Sequence, residues 1–259
     1  MWLLLACVDP PQAYVEAPVA APTAPAPAPP PVWPERGAVH ALAPRAPVGT
    51  LLLDAGHGAP DNNGNTNAAC EREGDVMRRV ADGVAGALPA TLTVLRTRPD
   101  PGLVDYPTRL RMSRDADWLV SLHSDSRAGR DIAPSPAGCW QNVGALGFSV
   151  LWSDEGAPPL VAARQRLAVA IRDRMVEAGF LAYDGHDYVG LYEGTNGVFV
   201  DRHAPSKRIM LLRRPAVPSV IIETHQAWDP AEVDRWAEPA TWTAFAAALG
   251  VALADVRAP

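Results

Sequence analysis

Short apolar runs that alternate with helical patterns constrain the fold of this chain more than any other feature of its sequence. Apolar runs bounded by turn residues predict buried strands, and they occur at residues 50–53, 92–95, 118–122, 145–152 and 218–222. Apolar residues at helical spacing predict helices that begin at Glu73 and then cover 159–178, 231–237 and 239–256. Strands that alternate with helices build a parallel sheet covered on both faces. The sequence therefore predicts an α/β fold at residues 49–256, with three α/β/α layers around a mostly parallel central sheet.

The segment before this domain has low sequence complexity. Residues 8–48 consist largely of proline and alanine. Such a composition cannot bury enough apolar surface to fold, so it predicts a disordered Pro/Ala-rich tether. An ordinary disordered tail without a tethering role is an equally good interpretation.

Residues 1–7 resemble the end of an export signal, because Leu4-Leu5-Ala6-Cys7 has the pattern of a bacterial lipobox. A complete signal has a basic front and an apolar core of about 7–15 residues, and this segment has neither. A truncated lipoprotein signal with a lipidated Cys7 predicts an exported protein of the periplasm or cell envelope, anchored by lipid. A chance resemblance is the alternative.

Charge and cysteine spacing exclude two kinds of site. The net charge is −6 and no basic run occurs, which argues against a nucleic-acid partner. The three cysteines match no zinc-finger spacing.

Cys70 and Cys139 each lie near a loop that carries a candidate ligand, and in an oxidising compartment they can form a disulfide. The sequence does not decide whether their Cα atoms come close enough for that bond.

Four polar side chains are predicted to meet at one edge of the sheet. Three predicted strands end at His57, His123 and Glu223, and Glu73 lies in the first turn of the first helix. The carboxyl ends of parallel strands share one edge, where ligands bind in open α/β sheets. Two imidazoles and one carboxylate form the ligand set of many catalytic zinc sites, with a fourth position left for water. A further carboxylate can take a proton from that water as general base.

Six sequence blocks accompany these side chains. They are Leu53-Asp54-Ala55-Gly56-His57-Gly58, Glu73-Gly74-Asp75-Val76, Thr97-Arg98 with Asp100, Ala116-Asp117, Ser121-Leu122-His123-Ser124 and Pro218-Ser219-Val220-Ile221-Ile222-Glu223. In this order the blocks resemble the zinc-dependent N-acetylmuramoyl-L-alanine amidases of bacterial cell-wall turnover, amidase family three. The resemblance implies a peptidoglycan hydrolase that uses zinc-activated water. Such an enzyme cleaves the amide between N-acetylmuramic acid and the L-alanine of the stem peptide.

The resemblance also implies a role for individual residues. In that family the first histidine, the glutamate that begins the helix and the second histidine bind zinc. Carried over by position, His57, Glu73 and His123 bind one Zn²⁺ ion, and Glu223 is the catalytic acid/base. Arg213 resembles an arginine that the family often has before the last strand, and it is a candidate for substrate binding. Peptidoglycan is the implied partner, and a requirement for an activator protein is left open.

Three departures from the family pattern bear on the site. Glu71 is a competing ligand candidate, although Glu73 keeps the family's distance to the helix face. The Ala-Asn that usually follows the second histidine is replaced by Ser124-Asp125, and the Gly-Phe-Leu-Ser-Asn after the catalytic glutamate is replaced by residues 224–228. The replacement introduces His225, a candidate substrate-facing or ligand-supporting group for which a capping or surface role is equally open.

The Gly- and Asp-rich stretch at residues 183–206 is predicted to form a mobile flap over the groove, because long loops are often functional lids. His186 and His203 lie in this stretch, and a second metal site there is a less favoured alternative. Among the tryptophans, Trp140 and Trp152 are candidates for stacking on sugar or peptide.

Two other functions remain open. A zinc amidohydrolase of similar fold that acts on small N-acyl amino acids predicts a closed, small pocket instead of an open groove. A catalytically silent cell-wall-binding or regulatory domain would be expected to lack a ligand or the catalytic acid, whereas this chain has all four residues.

Overall fold

A computed structural model describes residues 37–127 and 130–256 of the chain. The predicted signal segment 1–7, with Cys7, and most of the predicted tether lie outside the described residues. The described strands are β1 (Gly49–Ala55), β2 (Leu92–Arg96), β3 (Trp118–Asp125), β4 (Arg130–Pro134), β5 (Trp140–Val143), β6 (Ser149–Trp152), β7 (Tyr192–Thr195), β8 (Val198–Asp201) and β9 (Ser219–Gln226). The described α-helices are α1 (Glu73–Ala87), α2 (Tyr106–Met112), α3 (Pro158–Glu177), α4 (Met210–Arg213), α5 (Pro230–Ala237) and α6 (Pro239–Asp255). None of these helices combines the length and the apolar character needed to cross a membrane.

Seven strands form one sheet in the order β2-β1-β3-β9-β6-β8-β7. The neighbours β2, β1, β3 and β9 pair in parallel, and so do β6 and β8. Antiparallel pairing occurs between β9 and β6 and between β7 and β8, while β4 and β5 form a separate hairpin. The prediction of a mostly parallel central sheet is confirmed.

The two faces of the sheet pack against different helices, because successive side chains of a strand point to opposite faces. On one face, Leu51, Val120 and Ile222 share a core with apolar residues of α1, α3 and α6. On the other face, Ile221 packs in a second cluster with Leu212 of α4, and α2 contacts α4. The predicted three-layer α/β/α architecture is confirmed.

The strand predicted at residues 145–152 is shorter than expected and begins at Ser149. Gly144, Ala145 and Gly147 have φ values of 112°, 50° and 100°, which lie outside the range of β-strands. The apolar residues before Ser149 therefore form a turn that leads into β6.

The two tryptophans proposed for stacking have different environments. Trp152, at the end of β6, is 7% exposed and belongs to the first core. The stacking prediction for Trp152 is therefore wrong. Trp140, in β5, is 55% exposed, and its stacking on substrate stays a prediction.

The stretch at residues 183–206 is part of the folded scaffold instead of a flap. Its strands β7 and β8 form a hairpin, and β8 extends the main sheet by pairing with β6. Tyr183, Tyr188 and Phe199 are buried together in the second apolar cluster. Because this stretch has its own buried side chains and sheet pairing, the flap prediction is wrong.

The end of the predicted tether packs on the domain. In residues 37–48, Val39 and Leu42 lie against the first core, and the His40 N–H donates to the Ala178 carbonyl at 3.0 Å. Apolar contact and backbone hydrogen bonding fix this segment. Residues 37–48 therefore belong to the folded part of the chain and not to a disordered segment.

Candidate metal centre

The turn after β1 holds His57 in a backbone conformation that few residues other than glycine adopt. Its φ is +55°, in the left-handed region. The buried guanidinium groups of Arg98 and Arg109 both donate to the His57 carbonyl, and Arg98 also donates to the Gly74 carbonyl at 2.8 Å. These bonds connect the turn to the start of α1, and they over-determine the strained conformation. The imidazole is thus fixed at the edge of the sheet.

Two glycines leave the space that this turn requires. A Cβ atom at Gly58 would lie 2.0 Å from the Arg98 guanidinium carbon. A Cβ atom at Gly64 would lie 2.4 Å from Glu73 Oε2 and 2.7 Å from the His57 ring. Both glycines also have positive φ, which costs them little because they carry no Cβ. A larger side chain at either position would displace the groups that form the centre.

Glu73, the first residue of α1, places its carboxylate between two imidazoles. His57 Nε2 lies 3.2 Å from Glu73 Oε2, and His123 Nδ1 lies 3.2 Å from Glu73 Oε1. The two imidazole rings meet edge to face with centroids 4.7 Å apart. One ligand atom from each of the three residues lies within 4.8 Å of the others. The structure therefore brings the three predicted ligands together.

The chemistry of this donor set fits a zinc ion. Asn65 donates its backbone N–H and its side-chain amide to Glu73 Oε2 at 3.0 and 2.9 Å, and the Ser124 N–H donates to Oε1 at 3.0 Å. Burial opposes ionisation of Glu73, but hydrogen bonds and charges from His123 and His57 outweigh it and lower the pKa of this carboxyl. An ionised carboxylate beside two imidazole nitrogens is a ligand set that Zn²⁺ prefers.

Asn62 fixes which ring nitrogen of His57 faces Glu73. Its Oδ1 lies 2.7 Å from His57 Nδ1, and its Nδ2 donates to the Tyr106 hydroxyl at 2.9 Å. An amide oxygen only accepts, so His57 Nδ1 donates to Asn62, and Nε2 is the ring nitrogen that faces Glu73. Metal-binding histidines commonly have such a partner on the other ring nitrogen.

We expect Asn62→Ala to weaken Zn²⁺ binding by about 10–100-fold, because His57 then loses the partner that orients its ring. The affinity is measured by competition with a chromophoric chelator. Asn63→Ala is the matched control, since Asn63 is exposed in the same loop, and it should leave the affinity unchanged. Equal affinities for the two variants would show that Asn62 does not orient His57.

Glu223 lies on β9 beside the second histidine, because His123 and Glu223 are partners in the parallel register of β3 and β9. Glu223 lines a cleft of about 350 Å³ together with both histidines, Tyr106, Tyr192 and side chains of α4. Burial, followed by the negative charge of Asp125, raises the pKa of Glu223 to about 8. A carboxyl group whose pKa is near neutrality can both accept and return a proton.

A buried arginine connects the end of β3 to the turn before β6, the two strands that pair with β9 on either side of Glu223. Arg127 is 3% exposed, and its Nε donates to Asp125 Oδ2 at 2.8 Å. Its Nη1 donates to the carbonyls of Ala145 and Gly147 at 2.7 and 2.8 Å. The Tyr188 hydroxyl also donates to Asp125. This Asp125–Arg127–Tyr188 network fixes the turn before β6 and the end of β3.

The structure joins Cys70 and Cys139 in a disulfide with Cα atoms 5.5 Å apart, so the pairing that the sequence left open is confirmed. The bond connects the loop before α1 to the β4–β5 hairpin.

Glu71, the competing ligand candidate, lies in the loop before α1, but its carboxylate pairs with Arg79. The carboxylate of the centre is therefore that of Glu73, as predicted.

Two residues proposed for substrate binding lie away from the cleft. His225 is 1% exposed, its ring stacks on Trp236 with centroids 5.7 Å apart, and burial lowers its pKa to about 3. A buried, neutral imidazole does not face substrate, so that prediction is wrong. Arg213, the last residue of α4, lies 3.7 Å from Glu155. It is not among the described residues that line the cleft, and this geometry gives no support to a substrate contact.

The two other histidines named from the sequence lie outside the centre. His186 is exposed and pairs with Asp184 and Asp187, while His203 pairs with the buried Asp201. Across the described ranges, no second set of three His, Cys, Asp or Glu side chains comes together as closely as the first. The alternative of a second metal site gains no support.

Sequence reasoning missed the side chains that support the centre. The Asn-rich loop at residues 61–67 was a visible signal for Asn62 and Asn65. Arg127 follows the second histidine closely, but nothing in the local pattern indicates that it is buried. Tyr192 reaches the cleft from a distant hairpin, and no local pattern marks it.

Comparisons with known proteins add a family and a fold to this geometry. The Amidase_3 family model, described as N-acetylmuramoyl-L-alanine amidase, matches residues 51–255. No curated protein gives a significant match to the chain.

Several solved structures have a similar fold. Ami1 from Mycobacterium smegmatis, an N-acetylmuramyl-L-alanine amidase, is 20% identical with a TM-score of 0.61, over 80% of this chain and 95% of that chain. The N-acetylmuramoyl-L-alanine amidase AmiC2 of Nostoc punctiforme is 19% identical with a TM-score of 0.56, over the same shares. The CwlD amidase from Clostridioides difficile, in complex with the GerS lipoprotein, is 16% identical with a TM-score of 0.57, over 80% and 98%.

Proposed function

This chain belongs to the Amidase_3 family of N-acetylmuramoyl-L-alanine amidases, and from this premise we propose how its residues carry out the reaction. The enzyme is a peptidoglycan hydrolase that cleaves the amide between N-acetylmuramic acid and L-alanine. In our proposal His57, Glu73 and His123 hold one Zn²⁺ ion, and Glu223 is the catalytic acid/base. The observation that carries the proposal is the meeting of three donor atoms within 4.8 Å of one another. Glu223 lies beside them on β9, which pairs with the strand that carries His123.

Hydrogen bonds within the protein hold these ligands in place. Asn62 Oδ1 accepts from His57 Nδ1, which leaves Nε2 as the ring nitrogen for the ion, and hydrogen bonds from Asn65 and Ser124 hold both oxygens of Glu73. His57, Glu73 and His123 would hold a Zn²⁺ ion, whose contribution when bound would be to polarise a substrate carbonyl and to lower the pKa of water toward about 7.

Glu223 moves the proton in this mechanism. It accepts a proton from the attacking water and returns it to the nitrogen of the departing L-alanine, so that the amide becomes a carboxyl group and an amine. The raised pKa of about 8 supports this double role. Met210 and Leu211 of α4 line the cleft, and such apolar walls limit the water around the reacting groups.

Purified sacculi test the proposed activity. The zinc-loaded protein should release stem peptides that carry a new amino-terminal L-alanine, measured by amino-group labelling and mass spectrometry. Because the proposed chemistry requires the ion, an excess of chelator should reduce release by at least about 100-fold, and added Zn²⁺ should restore it. Release that resists complete removal of metal would contradict the zinc proposal.

The same assay separates the two alternative functions. Binding to sacculi without release would support a silent wall-binding or regulatory domain. Hydrolysis of small N-acyl amino acids, with neither binding to sacculi nor release from them, would support the small-molecule amidohydrolase.

The substrate locates the activity in the cell envelope, where peptidoglycan lies. We extend the proposal to a periplasmic location and to a lipid anchor at Cys7, supported by the lipobox-like pattern of residues 4–7. The CwlD amidase is in complex with the GerS lipoprotein, and by analogy we propose that this enzyme also binds a partner protein, which would act as its activator.

A further inference from the structure

The cleft contains a polar side chain for which the mechanism above has no role. Tyr192 begins β7 and lines the cleft together with His57, His123 and Glu223. It is half-buried, and its backbone pairs with Asp201 of β8 in the main sheet. The position of Tyr192 relative to the metal ligands is thus set by sheet pairing.

The ring of Tyr192 is held on two sides. Its centroid lies 4.7 Å from that of Tyr188 and 5.1 Å from that of His203. His203 is itself fixed, because its Nδ1 donates to Asp201 at 2.8 Å and the Asp201 carboxylate is fully buried. A ring clamped in this way presents its hydroxyl in a defined direction, which is what a preorganised hydrogen-bond donor requires.

The hydroxyl of Tyr192 is available to a substrate. Within residues 37–127 and 130–256 no group forms a hydrogen bond to its Oη, whereas the other tyrosine of the cleft, Tyr106, already accepts from Asn62. Burial and the negative charge of Glu223 raise the pKa of Tyr192, so the hydroxyl keeps its proton at neutral pH. The cleft therefore contains a neutral hydrogen-bond donor, Tyr192, near Glu223, the proposed proton acceptor.

We propose that Tyr192 is a further catalytic residue, whose hydroxyl donates a hydrogen bond to the carbonyl oxygen of the scissile amide. This inference rests on the proposed function. The water oxygen bonds to the carbonyl carbon, the π electrons of the C=O bond move to oxygen, and Glu223 takes the water proton. A lone pair of that oxygen then re-forms C=O, the C–N electrons leave with nitrogen, and Glu223 protonates the nitrogen. Tyr192 keeps its own proton and stabilises the charge that develops on oxygen.

Tyr192→Phe removes only the hydroxyl and keeps the clamped ring. We expect kcat for soluble muropeptides to fall by about 10²-fold, because the donor acts mainly on the charged transition state. The KM should stay within about threefold, since a role confined to the transition state leaves ground-state binding largely intact. Zinc content and melting temperature should equal those of the wild type. Glu193→Gln is the matched control: Glu193 is next in β7, its side chain is 70% exposed, and its activity should match the wild type.

Each other result has a defined meaning. A Tyr192→Phe enzyme with wild-type kcat would overturn the inference and leave the proposed function intact, because the ring alone would then be sufficient. A loss that follows from lower zinc content or a lower melting temperature would also overturn it, since the role would be structural. A zinc-loaded wild-type enzyme without any amidase activity would overturn the proposed function and this inference together.

Discussion

Glu223→Gln is expected to lower kcat for peptide release by about 10³-fold, the scale of a general acid–base contribution, while Zn²⁺ binding stays intact. The glutamine side chain has nearly the same shape but cannot accept the water proton or return it to the leaving nitrogen. Glu223 lies on β9 beside His123. It is not one of the three side chains whose ligand atoms meet at the centre. This variant should therefore lose activity and keep its metal. Single-turnover kinetics and metal analysis of the same sample measure both.

Two glutamates of the neighbouring loop and helix provide the controls. Glu73→Gln removes a ligand and should lose both zinc and activity. Glu71→Gln changes a carboxylate that is paired with Arg79 outside the centre, and it should keep both. If Glu223→Gln lost zinc together with activity, Glu223 would be a ligand and its assignment as the acid/base would be wrong.

Arg127→Met is expected to reduce the free energy of unfolding by about 3–5 kcal/mol, on the scale of removing one partner of a buried ion pair, because Arg127 is buried and Asp125 is only partly exposed. The methionine fills much of the volume but leaves the Asp125 carboxylate without its cation. It also leaves the carbonyls of Ala145 and Gly147, which Arg127 binds at 2.7 and 2.8 Å, without donors. Urea denaturation followed by tryptophan fluorescence measures the change.

A partly exposed arginine and a second-site change provide the controls for this prediction. Arg174→Met removes ion pairs to Glu177 and Asp255 on the surface, and it should cost no more than about 1 kcal/mol. Adding Asp125→Asn to Arg127→Met should recover part of the loss, because the unpaired, half-buried charge is then absent. A loss below about 1 kcal/mol for Arg127→Met would contradict the role given to this network.

Patterns that depend on neighbouring residues were readable from the sequence alone. The helix predicted at residues 159–178 corresponds to α3 (Pro158–Glu177), and the one at 239–256 corresponds to α6 (Pro239–Asp255). Helical periodicity and apolar runs are local properties, so they identify an element before its partners are known. The convergence of His57, Glu73 and His123 was predictable for a related reason, because parallel strands share one carboxyl edge.

Only the tertiary structure decided features that depend on segments far apart in the chain. The sequence left the role of His225 open, because its burial against Trp236 depends on where α5 packs. Tyr192 was overlooked because a hairpin with weak local signals brings it into the cleft, and the Cys70–Cys139 bond was left open because its Cα separation of 5.5 Å exists only in the folded chain. The amino-acid sequence by itself determined the layers of the fold, which follow from local periodicity. It also determined the meeting of His57, Glu73 and His123, which follows from the carboxyl edge that parallel strands share. Long-range packing decided the pKa of Glu223, the support from Arg127 and the wall of the cleft, because burial and charge act through space and not along the chain.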